Sequence, residues 1–339
     1  MNKKIWTGIV SSLGIMMLIM DAKTAMSGAN EGVQLCIRTI IPSLLPFFVL
    51  TNLLTSVLCG QNIRLLQPLG KLCGMPKGSE SLLIIGLLGG YPVGAQAVMQ
   101  AYNNGQLNKN DAQRLLGFCS NAGPAFLFGM ISMYFPSQRM IWALWGIHIL
   151  SAVIVGAVLP GKSRNTSQML TSPSIDFSQA VARSVKILGS VCGWVILFRV
   201  IIAFSRRWFL WLLPDALQVA FMGLLELANG CCSLGMVSNQ ALRFILCAGL
   251  LGFGGLCVLM QTTSVTGSLE TGQYLPGRVL HGLLSMILAW IWQLITASGT
   301  EIRDISPLIG IIPCGLFLFI SLFLQIKQNN CSNKQLVGV

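Results

Sequence analysis

Apolar residues run along this chain in long blocks parted by short polar breaks, without the period-two alternation of strands or the single stripe of a surface helix. Charge-free intervals cover residues 39–63, 81–108, 115–138, 140–161, 244–269, 279–300 and 305–326. A membrane-crossing helix needs about 20 apolar residues, so each interval is long enough to span a bilayer. Shorter apolar runs at 5–20, 187–198 and 217–234 raise the count to about ten segments. The pattern predicts an all-α polytopic membrane protein.

Two apolar blocks are broken in the middle. One reads Gly86-Leu87-Leu88-Gly89-Gly90-Tyr91-Pro92-Val93-Gly94, the other Gly223-Leu224-Leu225-Glu226-Leu227-Ala228-Asn229-Gly230. Pro92 lacks an N–H, and the glycines free the backbone to bend. About thirty residues after each break comes another: Ser120-Asn121-Ala122-Gly123-Pro124 in one half and Gly252-Phe253-Gly254-Gly255 in the other. Upstream of both, residues 37–48 fall on 185–196 in apolar pattern, with Arg38 and Lys186 as the basic residue of each helix. The shared order predicts two related halves. The domain reading is a first helix and loop (1–31), a first repeat (32–160), a polar linker (161–177), a second repeat (178–300), and a last span with its tail (301–339). If Gly89 to Pro92 turn their segment back as a re-entrant hairpin the halves are inverted, which is the expectation here; one crossing would make them parallel. Interrupted segments in corresponding positions of two halves point to a transporter's binding site.

Composition narrows the class. Of 339 residues 54% are hydrophobic and 9% charged, against roughly 25% charged in a soluble domain. The net charge of +12 is scattered in short flanks, which suits lipid-facing edges and argues against nucleic acid. With the N-terminus inside and ten crossings, Arg278 falls on the cytoplasmic side, while Arg114 and Arg243 fall on the opposite side. The first apolar run, with Lys3 and Lys4 before it, is expected to stay as a helix. The eleven cysteines read as reduced, mostly small hydrophobic fillers.

Candidate chemistry sits at the breaks. Glu226 is a lone acid in an apolar block, and such a charge is costly in hydrocarbon unless it faces a bundle interior or a wet cavity. Asn229 follows at i+3 on the same helix face, with Gly230 beside it. A proton or an ion is open to this pair, and so is a fastening role with Arg199. Gly90, Tyr91, Pro92, Gly94, Ser120, Asn121, Gly123 and Pro124 form the other candidate lining, Asn121 as a cap for the half-helix that follows. Arg38, Lys186 and Arg199 favour an anionic solute if they face a cavity. His148 and His281 lie in separate segments without metal-ligand spacing, and no catalytic motif appears. No enzyme activity, metal or cofactor is expected.

Together Pro42-Ser-Leu-Leu-Pro46-Phe-Phe48, Gly90-Tyr-Pro-Val-Gly94-Ala95, residues 118–124 and residues 223–230 resemble the YlbJ-type sporulation integral membrane proteins. That group carries paired gate, or nucleoside-recognition, domains also seen in concentrative nucleoside transporters. The likeness spans residues 32–268. It implies a multi-pass protein of the bacterial cell or forespore membrane that moves dipicolinic acid, a small aromatic dicarboxylate, with other sporulation membrane proteins as partners. It also implies that the site comprises residues 90–95, 120–124 and 226–230. Ala228 stands where that group more often bears a hydroxyl. A non-transporting scaffold and a nucleoside transporter are the alternatives.

Overall fold

The computed structural model describes residues 3–58, 64–161, 175–267, Leu269 and 272–296. Most of the polar linker and the expected last span, residues 305–326, lie outside the described residues. Within them all regular structure is helical. Five stretches are long and apolar enough to cross a membrane: Ala22–Leu58, Gln138–Val158, Phe177–Trp208, Gln240–Thr266 and Tyr274–Thr296. The chain is an all-α integral membrane protein.

The first half opens with α1 (Lys3–Met20), α2 (Ala22–Leu35) and α3 (Ile41–Leu58). Asp21 starts α2 by accepting the Thr24 N–H at 3.1 Å. A π-helical turn, Cys36–Ile40, joins α2 to α3, with the Ile41 N–H reaching back five residues to Cys36 O. Pro42 and Pro46 withdraw two N–H donors from this region. The Ser43 hydroxyl between them bonds back to Thr39 O at 2.7 Å. The chain continues as α4 (Gln67–Leu72), α5 (Glu80–Gly89), α6 (Val93–Asn103), α7 (Lys109–Cys119), α8 (Pro124–Gly129) and α9 (Gln138–Val158). The second half holds α10 (Phe177–Trp208), α11 (Asp215–Leu225), α12 (Leu227–Cys232), α13 (Gln240–Phe253), α14 (Gly255–Thr266) and α15 (Tyr274–Thr296).

The apolar interval 81–108 does not run through as one helix. A Cβ built on Gly94 would lie 2.8 Å from Gly86 Cα, whereas eight residues of continuous helix put about 12 Å between them. The arms α5 and α6 therefore fold back on each other around Gly90, whose φ is +74°. The pair α11 and α12 does the same at Glu226: a Cβ on Gly230 would lie 2.2 Å from Gly223 Cα. Each hairpin is followed by a broken helix. The first is α7/α8, parted at residues 120–123; the second is α13/α14, parted at Gly254 with φ +86°. Asparagine caps the start of both: Asn108 accepts from Asp111 N at 2.8 Å and Asn239 from Leu242 N at 2.9 Å. A long helix, a hairpin, a broken helix and a closing helix thus occur twice in the same order.

The corresponding helices of the two halves pack on each other in opposite directions. Along α2–α3, Gly28 meets Val200 and Ala203, Gly32 meets Ile196 and Arg199, and Asn52 donates to Ser184 Oγ at 2.9 Å. As one number rises the other falls. Gly28 and Gly32 form a small-residue face on which α10 lies backbone to backbone. The helices α9 and α15 also run antiparallel, with Gly161 beside Gln273 at one end and the His148 and His281 rings stacked at 4.5 Å further in. Buried side chains fill the space between halves, while Ile9, Trp142, Leu197 and Ile295 project outward as lipid-facing surface requires.

Candidate functional site

Three of the four breaks meet at one small cavity. Gly90 and Tyr91 from the first hairpin, Ala122 and Gly123 from the first broken helix, and Glu226, Leu227 and Ala228 from the second hairpin line it. Ile40 of the π turn, Leu44 and Phe48 of α3 and Val191 and Val195 of α10 close its sides, with Gln261 of α14 adding an amide. The volume is about 50 Å³, room for a few water molecules at roughly 15 Å³ each.

Glu226 is held by the helix it starts. Its backbone is extended, at φ −146° and ψ 120°, because the chain must reverse here. The carboxylate then turns back over the first turn of α12 and accepts from Ala228 N at 3.0 Å and Asn229 N at 2.7 Å. The Asn229 side-chain amide supplies a third bond at 2.6 Å. These donors and the positive end of the half-helix offset the cost of a buried charge. On its other side Asn229 Oδ1 accepts from Arg199 at 2.9 Å. Arg199 in turn pairs with Glu31 on α2, through Nε at 3.1 Å and through Nη2. The expected Glu226–Arg199 fastening is therefore indirect, with Asn229 between the two.

Arg278, expected at the cytoplasmic edge, is buried instead and ties the breaks together. It donates to Ser120 O at 2.6 Å, to Asn121 Oδ1 at 3.2 Å and to Phe253 O at 3.4 Å. It also reaches the Tyr91 hydroxyl and Gly252 O. The carbonyls freed where α7 and α13 stop thus find one shared guanidinium, whose five donors suit that task. Arg114, expected at the opposite edge, is likewise buried, donating to Gly74 O at 3.1 Å and Gly156 O at 2.6 Å. In both, an arginine replaces water as the partner of helix-end carbonyls. Asn121 does not cap α8: its amide donates to Phe118 O at 2.8 Å, the end of the preceding half-helix. Ala122 N, at the break itself, donates to His148 Nε2 at 3.2 Å.

The residues singled out in the sequence divide accordingly. Gly90, Tyr91, Gly123 and Glu226 line the cavity, and Ser120, Asn121, Pro124 and Asn229 sit one layer behind it. Gly94 and Gly230 serve the hairpins, where no larger residue fits; Pro92 stands at the first turn of α6. Arg38 is exposed on the π turn, away from the cavity. Lys186 lines a second, polar cavity of about 370 Å³ with Arg183, Gln96, Gln100, Asn52 and Ser190. Sequence reasoning missed Arg183, although its place three residues before Lys186 puts it on the same face. It missed Arg278 and Gln261 too, and it read the stacked histidines as unrelated.

These cavities lie in line along the α3–α10 pair. The polar vestibule takes residues 52 and 55 of α3 and 183–190 of α10, and the central cavity 40–48 and 191–195. A further cleft of about 430 Å³ takes Thr24, Ser27 and Glu31 of α2 and Ala203, Arg206 and Arg207 of α10. Over 239 residues the chain is 26% identical to the sporulation integral membrane protein YlbJ of Bacillus subtilis (strain 168). The chain resembles the YlbJ-type proteins. The match covers 62% of the chain and spans 58% of the YlbJ protein's own length. No family model matches, and no solved structure does. YlbJ is by its name an integral membrane protein, and the five spans here place its relative in a membrane as well.

Proposed function

We propose that this protein is a secondary transporter of a small organic anion, dipicolinic acid in the first instance, acting in spore formation. The observation that carries this reading is the alignment of two polar openings on one central cavity where the interrupted segments of both halves meet. Membrane carriers place their sites at such meetings of broken helices. Arg183 and Lys186 give the vestibule its preference for carboxylates: neither has a hydrogen-bond or ion-pair partner among the described residues, so both are free for a solute. Its 370 Å³ falls in the ordinary range of small-molecule sites. Glu226 is the proton- or ion-coupling group. The sporulation role rests on the likeness to YlbJ.

The two halves are inverted repeats in this reading. If each hairpin dips into the membrane and returns, a long helix, a broken helix and a closing helix leave three crossings per half. An odd number reverses the second half, in keeping with the antiparallel packing of α3 on α10 and of α9 on α15. Vesicles holding the purified protein and loaded with dipicolinate test the function. Release above that of empty-membrane vesicles supports it, and equal release removes it. The small apolar centre favours one other reading, a non-transporting membrane partner; that reading gains if release is absent while the protein co-purifies with another sporulation membrane protein.

A further inference from the structure

The Glu31–Arg199–Asn229–Glu226 chain occupies a particular place: the partition between the central cavity and the 430 Å³ cleft at the far end of α10. On α10 the residues Val195, Arg199 and Ala203 succeed one another at i, i+4 and i+8 on one face. Val195 lines the cavity and Ala203 lines the cleft, with Arg199 between them. On the facing helix Glu31 lines the cleft, its side chain 46% exposed. Glu226 lines the cavity, and Asn229 joins the two by hydrogen bonds to both Arg199 and Glu226. Between Glu31 at the cleft and Glu226 at the cavity stand Arg199 and Asn229, so the wall is polar and charged.

That composition is informative. An ion pair that solvent partly reaches stabilises a fold weakly, and apolar residues of similar volume seal a helix interface as well or better. Ionisable residues in membrane segments mark pathways because water can replace their partners when the helices part. A charged wall between a wet cleft and a buried acid has the makings of a barrier that opens. Arg206 lines the same cleft, while Arg207 is tied to Asp21 at 2.8 Å. Glu31, paired with Arg199, is the solvent-exposed end of the chain of bonds that leads to Glu226.

We propose that the Glu31–Arg199 pair is a gate on a second access route to Glu226, one that admits a proton or a small monovalent cation from the end of α10 opposite the vestibule. The conformation seen here has that gate shut. The inference rests on the carrier reading for its purpose, but its geometry can be tested apart from transport.

The test is hydrogen–deuterium exchange of the full-length protein in lipid nanodiscs, comparing wild type, Glu31→Gln and Glu31→Asp. The amides of Ala228 and Asn229, which donate to Glu226, should exchange about tenfold faster in Glu31→Gln, as expected for easier local opening. The amides of Gly90, Tyr91, Val93 and Gly94 in the first hairpin should keep their rate, and Glu31→Asp should restore slow exchange at 228–229. No acceleration at 228–229 overturns the proposal. A uniform rise across both hairpins overturns it too, since the pair then holds the fold as a whole. Dipicolinate release from vesicles made with the same proteins separates the two readings. Local acceleration without any wild-type release keeps the gate and removes the carrier; release without local acceleration does the reverse.

Discussion

Arg278 on α15 donates to the hydroxyl of Tyr91 at the break between α5 and α6, joining residues 187 positions apart at the centre of the bundle. Its guanidinium also lies 5.2 Å from the Tyr91 ring centroid, so tyrosine meets the cation with both its face and its oxygen. The Tyr91 hydroxyl passes its own proton toward Leu251 O at 3.3 Å. Through these two residues the first hairpin, the first broken helix and the second broken helix share one polar node.

Replacing Arg278 by methionine keeps much of the stem and removes the node. Ser120 O, Gly252 O and the Asn121 and Tyr91 side chains then lose a donor in a dry setting, each at about 1–3 kcal/mol. The loss should total at least about 3 kcal/mol, allowing for partial repair by water. Thermal unfolding in detergent measures it. A variant as stable as wild type would show that the breaks are held by packing alone.

The hairpins make a different kind of claim, about space. Gly230→Ala puts a methyl group where Gly223 Cα stands, and Gly94→Ala meets Cys119 O at 2.2 Å. Backbone cannot yield there as a flexible side chain would, so each should cost about 1–3 kcal/mol or more. Gly189 and Gly193 on α10 have nothing within 4 Å of a built Cβ. Alanine at those two sites should be neutral or slightly stabilising through helix propensity. Four melting curves check the contrast, and equal shifts at all four sites would deny the close approach of the arms.

The sequence made the membrane class, the helices and the places where they break readable, because hydrophobic length and Gly–Pro interruptions are local signals. It also located Glu226, since a lone acid in an apolar block stands out at any fold. What escaped were the partners. Arg278 and Arg114 follow or precede apolar blocks, just as lipid-edge anchors do, and only the folded chain shows helix-end carbonyls converging on them. Asn121 was legible as a cap, but which half-helix it serves depends on where α7 stops. The histidines stack because α9 and α15 cross, a relation between distant segments that no spacing encodes.

Glu226→Gln separates charge from shape. The amide oxygen of glutamine can still accept from α12, but its NH₂ group faces one of the three donors that now meet the carboxylate. A stability loss of about 1–3 kcal/mol follows from one mismatched buried bond. In the transport assay the variant should insert normally and lose the response of dipicolinate flux to an imposed proton or cation gradient. Flux that still follows the gradient would take the acid out of the coupling.

The vestibule supplies the sharpest comparison among the cations. Among the described residues Arg183 and Lys186 have no partner and share one polar cavity, whereas Arg38 is exposed on the π turn and Arg199 is engaged by Glu31. Charge-assisted bonds to a carboxylate are worth about 1.5–3 kcal/mol each. Loss of both Arg183 and Lys186 to glutamine should therefore raise the half-saturating dipicolinate concentration by at least about a hundredfold, at tenfold per 1.4 kcal/mol. Thermal stability should hardly change, since no bond within the protein is broken. Arg38→Gln should leave both quantities as they are. If instead Arg38→Gln weakens the solute's hold and the double variant does not, the anion is bound on the other side of α3, and the vestibule is a solvated recess with no part in recognition.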